Sequence, residues 1–211
     1  MHWLPRRTRP VVAGLIGMSL LLLVGCAGCI RSAVNDGSNI TITYSPLYSV
    51  EEVEDIGRLA KNSALVVEGD VLNAASAATA VLDRVPNNGQ EMVYRDFTLS
   101  ISRVLKGSAR AAGDSVTVRV LGGTDGDLTV DMGGSQPQLD EGDRVLLFLS
   151  DAPTPECPTS GGFEYMVYGD GFGSFEIHGD RAVRDVAGQG PNDDLPLEDL
   201  RKRVLEVAVA P

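Results

Sequence analysis

The sequence predicts a mainly β fold, a small antiparallel barrel flanked by an N-terminal helix and a C-terminal amphipathic helix. Three observations lead there. From residue 64 to 150 apolar residues recur at every second position in run after run, the pattern of strands with one buried face. Many of the 24 glycines fall between those runs, where tight turns need them. Six to eight strands of modest length are read from the chain, and closing such a sheet removes its exposed edges. A β-sandwich is the alternative, because periodicity does not separate the two.

Ile40-Thr41-Ile42-Thr43-Tyr44 alternates and would add one edge strand before Pro46 ends it. Ser49 stands three residues before Glu52, the capping-box spacing, and Val53, Ile56, Leu59 and Ala60 follow at helical intervals. A helix is therefore expected from about Val50 to Lys61, its apolar face on the sheet. Ala64–Leu72 is dense enough in apolar residues for a central strand, with Glu68 and Asp70 sharing the parity that faces water. Ala74–Leu82 and the turn formers after it read as a surface excursion. Val93–Val104 alternates through Phe97, Leu99 and Ile101 as a long strand, and Ser115–Leu121 does so through Val116, Val118 and Val120.

Gly122–Asp127 is a turn cluster before the short run Leu128–Met132, and Glu141-Gly142-Asp143 turns into Val145–Leu149, the most apolar run beyond the leader. Glu164–Tyr168 and Gly173–Ile177 read as a last hairpin, with Arg181–Val183 as a short addition. Asp194 then stands as a helix cap before Leu197, Leu200, Val204 and Val207, an apolar stripe with Arg201, Lys202 and Arg203 on and beside its solvent face. A chain of 211 residues supports one good core or at most two small ones.

Charge narrows the function classes. The formal net charge is −11, and without Arg6, Arg7 and Arg9 the part from residue 26 onward holds 15 Lys plus Arg against 29 Asp plus Glu, a net −14. Such a surface repels nucleic acid and anionic lipid headgroups, so no nucleic-acid partner is expected and any membrane attachment must be covalent. Phe97, Phe148 and Phe175 fit the apolar strand pattern and are expected in the core rather than as stacking platforms.

At the amino terminus, Arg6, Arg7 and Arg9 form a basic region before Val11–Val24, an apolar run shorter than the roughly 20 residues of a permanent membrane span. It ends in Leu23-Val24-Gly25-Cys26, which resembles the lipobox of bacterial lipoprotein signal peptides. The resemblance implies cleavage before Cys26 and acylation of its sulfur, hence a protein held in a bacterial cell membrane or outer membrane and facing the periplasm or exterior. Segments follow from this: residues 1–25 as signal peptide, 26–48 as a tether, 49–188 as barrel domain with its preceding helix, and 189–211 as C-terminal helix. Cys29 and Cys157 could form a disulfide outside the cytoplasm, or Cys29 could remain a thiol beside the anchor.

Ala64–Val71, Val104–Gly107, Gly142–Leu149 and Tyr168–Phe175 together resemble uncharacterised bacterial secreted proteins and lipoproteins. This second resemblance implies a small OB-like barrel, related in shape to oligonucleotide/oligosaccharide-binding folds, and no assigned activity.

The search for chemistry returns little. Asp125, Asp127 and Asp131 could offer hard oxygen ligands to calcium, though without the acidic series and terminal glutamate of a helix-loop-helix calcium site. A Ser-His-Asp arrangement would have to use His178, which has no serine elbow with it. Glu68 and Asp70 could form a glycosidase couple only if the fold placed them across a cleft, which adjacent same-face positions on one strand do not establish, so solubility is their reading. The glycine clusters lack a phosphate-loop lysine or a dinucleotide fingerprint, and no catalytic residue and no cofactor is expected. The leading expectation is a lipid-anchored, non-enzymatic binding or structural module of the cell envelope, attached at Cys26, with loops around Asp125 or Cys157 facing an envelope protein partner or neutral ligand. The rival is an envelope-polymer hydrolase or a calcium-dependent carbohydrate-binding module.

Overall fold

The computed structural model describes residues 30–35, 39–44, 55–81, 91–108, 110–131, 137–151, 162–184 and 194–208. Thirteen strands and two α-helices lie among them. Strands β1 (Ile30–Asn35), β2 (Ile40–Tyr44), β7 (Gly123–Asp125) and β8 (Leu128–Asp131) form a four-stranded sheet in the order β1-β2-β8-β7. The remaining nine form the main sheet: β3 (Leu65–Ala74), β4 (Ala78–Val81), β5 (Glu91–Lys106), β6 (Ser115–Leu121), β9 (Arg144–Asp151), β10 (Tyr165–Val167), β11 (Ser174–His178), β12 (Arg181–Arg184) and β13 (Asp194–Pro196). Their order is β10-β6-β5-β3-β9-β11-β12-β13, with β4 paired to β5. Helices α1 (Ile56–Asn62) and α2 (Leu197–Ala208) flank the sheet.

The mainly β content and the two flanking helices agree with the sequence, but the antiparallel, OB-like barrel is corrected. The main sheet is mixed, since β10 runs parallel to β6, and β2 runs parallel to β8 in the smaller sheet. Nor does the nine-stranded sheet as a whole close into a barrel: β10 bridges β6 and β9, but β11, β12 and β13 run on from β9 beyond it. Beyond β3, the free edge of β9 is divided between two strands: β11 pairs at Val145–Leu147 and β10 at Leu149–Asp151. From β11 the sheet runs on through β12 to the three-residue strand β13, and so keeps an edge. Alternation reports which faces are buried, and it carries no information on which edges pair. The segments at 164–168 and 173–177 are likewise no hairpin. They sit end to end along β9, separated by the single 3₁₀ turn Asp170–Gly173, and the hairpin is instead β11–β12 across Gly179-Asp180. The expected excursion after residue 74 contains a strand, β4, whose Ala80 lies opposite Met92.

Burial follows the side-chain period on β9. Leu146 and Phe148 join Val66, Phe175 and the helices in one core, while Val145, Leu147 and Leu149 join Val67, Phe97 and Val118 in a second. A third cluster, with Met92, Val93, Leu128 and Val130, ties the small sheet to the main one. On α2 the expected stripe is real: Leu197, Leu200 and Val204 are buried, each contributing roughly 1.5–3 kcal/mol on this count. Asp194, however, lies in β13 and pairs with Arg181 rather than capping α2; the first amide of the helix donates to the Asp180 carbonyl at 2.8 Å.

Helix α1 is shorter than the predicted span. Asp55 is its N-cap, accepting from the Arg58 amide at 2.8 Å, whereas Ser49 and Glu52 lie outside the described residues. The other end is closed by Lys106 of β5. Its Nζ donates to the carbonyls of Ala60 (2.6 Å), Lys61 (2.9 Å) and Ser63 (2.6 Å), so an ammonium serves the acceptors that a helix C-terminus leaves over. Burial pushes the pKa of that ammonium down.

Candidate functional site

Strand β3 is covered on both faces over its first half, with Val66 in the cluster that includes the helices and Leu65 and Val67 in the other, and the site is built under the helix-covered face. Its register against β5 shifts between Glu68 and Gly69. A Cβ on Gly69 would run into the Ser100 carbonyl oxygen and lie 2.9 Å from Leu99 Cγ, so the close approach of β3 to β5 requires glycine there. Five consecutive residues, Leu65 to Gly69, are buried because both faces of the strand are covered, and Glu68 is 1% exposed while Asp70 is exposed. The reading of Glu68 as a solvated surface acid is thus corrected.

A buried carboxylate needs a cation and hydrogen bonds. Both come from Arg201, on the second turn of α2. Its Nε lies 2.6 Å from Glu68 Oε1 and its Nη2 2.5 Å from Oε2, a two-pronged pair, while Nη1 bonds Glu198. The Glu68 carboxylate raises the Arg201 pKa further above its ordinary value, with Glu198 adding to this and burial opposing it. Arg144 approaches Glu68 from β9 at 3.8 Å. Arg201, expected on and beside the solvent face, has only 11% of its side chain exposed.

Above this pair lies a shallow groove of about 480 Å³ between α2 and β5, lined by Arg103, Glu198, Arg201, Lys202, Leu205 and Glu206. Arg103 stands opposite Glu68 in the β3–β5 register yet is exposed. Leu205 is 45% exposed, and Lys202 lies 4.0 Å from Glu206. Leu205 is the apolar side chain of this lining, and the other five are charges of both signs.

A second Arg–carboxylate pair sits within the sheet. Arg119 of β6 is fully buried; its Nε and Nη2 each lie 2.7 Å from an oxygen of Asp96 on β5, the facing residue. Its guanidinium is sandwiched between the rings of Tyr94 (3.7 Å) and Phe163 (3.9 Å). Arg184 packs similarly over Phe175 at 4.7 Å. Neither arginine was singled out from the sequence. The alternation in Ser115–Leu121 marks position 119 as outward, and only the pairing with Asp96 and the return of Phe163 bury it.

The residues proposed from the sequence are not gathered here. Asp125 ends β7, opposite Leu128, and Asp127 is in the turn. Asp131 lies beyond the Gly123–Val130 pair at the far end of the same hairpin. Among the described residues no group of three or more His, Cys, Asp or Glu side chains is placed to hold a metal ion. His178 is exposed at the end of β11, 3.2 Å from Glu176. Cys26, Cys29 and Cys157 lie outside the described residues.

No family model matches the chain, and no curated protein matches it. The resemblance to small barrels of bacterial secreted proteins and lipoproteins is therefore corrected: the sheet is mixed and runs on to an edge at β13, and no match supports either that resemblance or the lipobox, whose residues are outside the described set. No helix among the described residues is long and apolar enough to cross a membrane.

Proposed function

We propose that the protein is a non-enzymatic binding or structural module of the cell envelope, attached to the membrane through Cys26, with the α2–β5 groove as its contact face. One observation carries the binding reading: Leu205 is left 45% exposed in a groove that is otherwise lined by charged side chains, of which Arg201 is held by Glu68. An exposed apolar side chain set among Arg103, Lys202 and Glu206 is the composition of a recognition surface. The attachment rests on the order of Arg6, Arg7, Arg9, the apolar run to Val24, and Cys26. Acyl chains there would hold the protein, each buried methylene contributing about 0.8 kcal/mol.

In-cell cross-linking of the full chain followed by mass spectrometry tests the contact face. A partner captured by the native protein and lost in Leu205→Glu, with the fold retained by circular dichroism, is the expected result. Capture unchanged by Leu205→Glu and by Arg103→Glu would move the contact face elsewhere. Attachment is read separately by labelling with radioactive palmitate. Incorporation by the native chain and none by Cys26→Ala is expected, and equal labelling would remove Cys26 from the proposal.

A further inference from the structure

We draw no further inference here: the strongest candidate, the shallow groove around Leu205 between α2 and β5, belongs to the site already described, and nothing in the structure shows what chemistry would cover it.

Discussion

Among the described residues two Arg–carboxylate pairs have a fully buried partner, and they are buried from opposite sides. Under α2 the carboxylate is the enclosed partner: Glu68 is 1% exposed, and Arg201 reaches it from the helix. Between β5 and β6 the arginine is enclosed: Arg119 is 0% exposed, Asp96 22%, and two aromatic rings cover the guanidinium. A carboxylate has no such alternative cover, because the face of a ring is itself negative. Glu68 thus depends on cations alone, while Arg119 has stacking as well as its acid. The first pair also joins elements distant in sequence, β3 and α2, whereas the second links neighbours in one sheet. The first holds the fold's outer layer in place; the second stiffens a sheet already hydrogen-bonded.

The largest effect should come from breaking the first pair. Arg201→Met leaves a buried carboxylate with Arg144 3.8 Å away as its nearest remaining cation, and such a loss costs about 3–5 kcal/mol. Urea denaturation followed by circular dichroism would measure it. The double variant Glu68→Leu/Arg201→Met removes both charges and should recover most of the loss, because apolar replacement of a buried pair is often neutral. If the double variant is as unstable as the single one, the cost lies in packing of α2 and not in the stranded charge.

Asp96→Ala tests the other side of the comparison and should cost less, about 2–3 kcal/mol, since Tyr94 and Phe163 still cover the Arg119 guanidinium. A loss equal to that of Arg201→Met would show that the rings contribute nothing. Removing them from the pair, by Tyr94→Leu in the Asp96→Ala background, should then deepen the loss beyond the sum of the two single changes.

The contrast between the pairs also marks what was legible in the sequence. Runs with a single period came through: the long strand containing Phe97, Leu99 and Ile101, the run Val145–Leu149, and the Leu197, Leu200, Val204 stripe all bury as their spacing requires. Glu68 was misread because α2 lays Arg201 over the face that Glu68 shares with Asp70, and a cover supplied by a helix far along the chain leaves no mark on the strand's own alternation. Arg201 followed from that error, since a basic residue beside an apolar stripe is placed in water unless an acid awaits it. The barrel failed for a related reason: two strands share one edge of β9, and edge pairing between residues far apart in sequence leaves no periodic trace. Of the candidate site, Leu205 and Glu198 lay on a helix that was recognised, while Arg103 and Glu68 came to it only through the sheet.

Lys106 offers a third arrangement, a cation held by backbone carbonyls in place of a carboxylate. Lys106→Met removes three charge-assisted hydrogen bonds at the end of α1, partly replaced by water, and should cost about 1–2 kcal/mol. Its pH dependence has a definite sign. Burial lowers the Lys106 pKa below the ordinary 10.5, so in the alkaline range below that value the unfolded chain binds more protons than the folded one. Stability should therefore rise with pH through that window by way of this residue, and the rise should be absent in Lys106→Met. A native slope identical to that of the variant would mean that the carbonyls fully offset the burial.

The smallest effect belongs to the same chemistry left in water. Arg181 pairs with Asp194 at 2.7 Å between β12 and β13, a distance like that of the buried pairs though onto one carboxylate oxygen, but the two side chains are 43% and 59% exposed. Each charge keeps its hydration when the other is removed, so Arg181→Ala should cost about 0–1 kcal/mol, and less in high salt. With the distance near that of the Asp96–Arg119 contact, burial is the main variable between them. A loss from Arg181→Ala as large as that from Asp96→Ala would trace the stability to the pairing itself, and would undo the argument that enclosure sets the cost of breaking each pair.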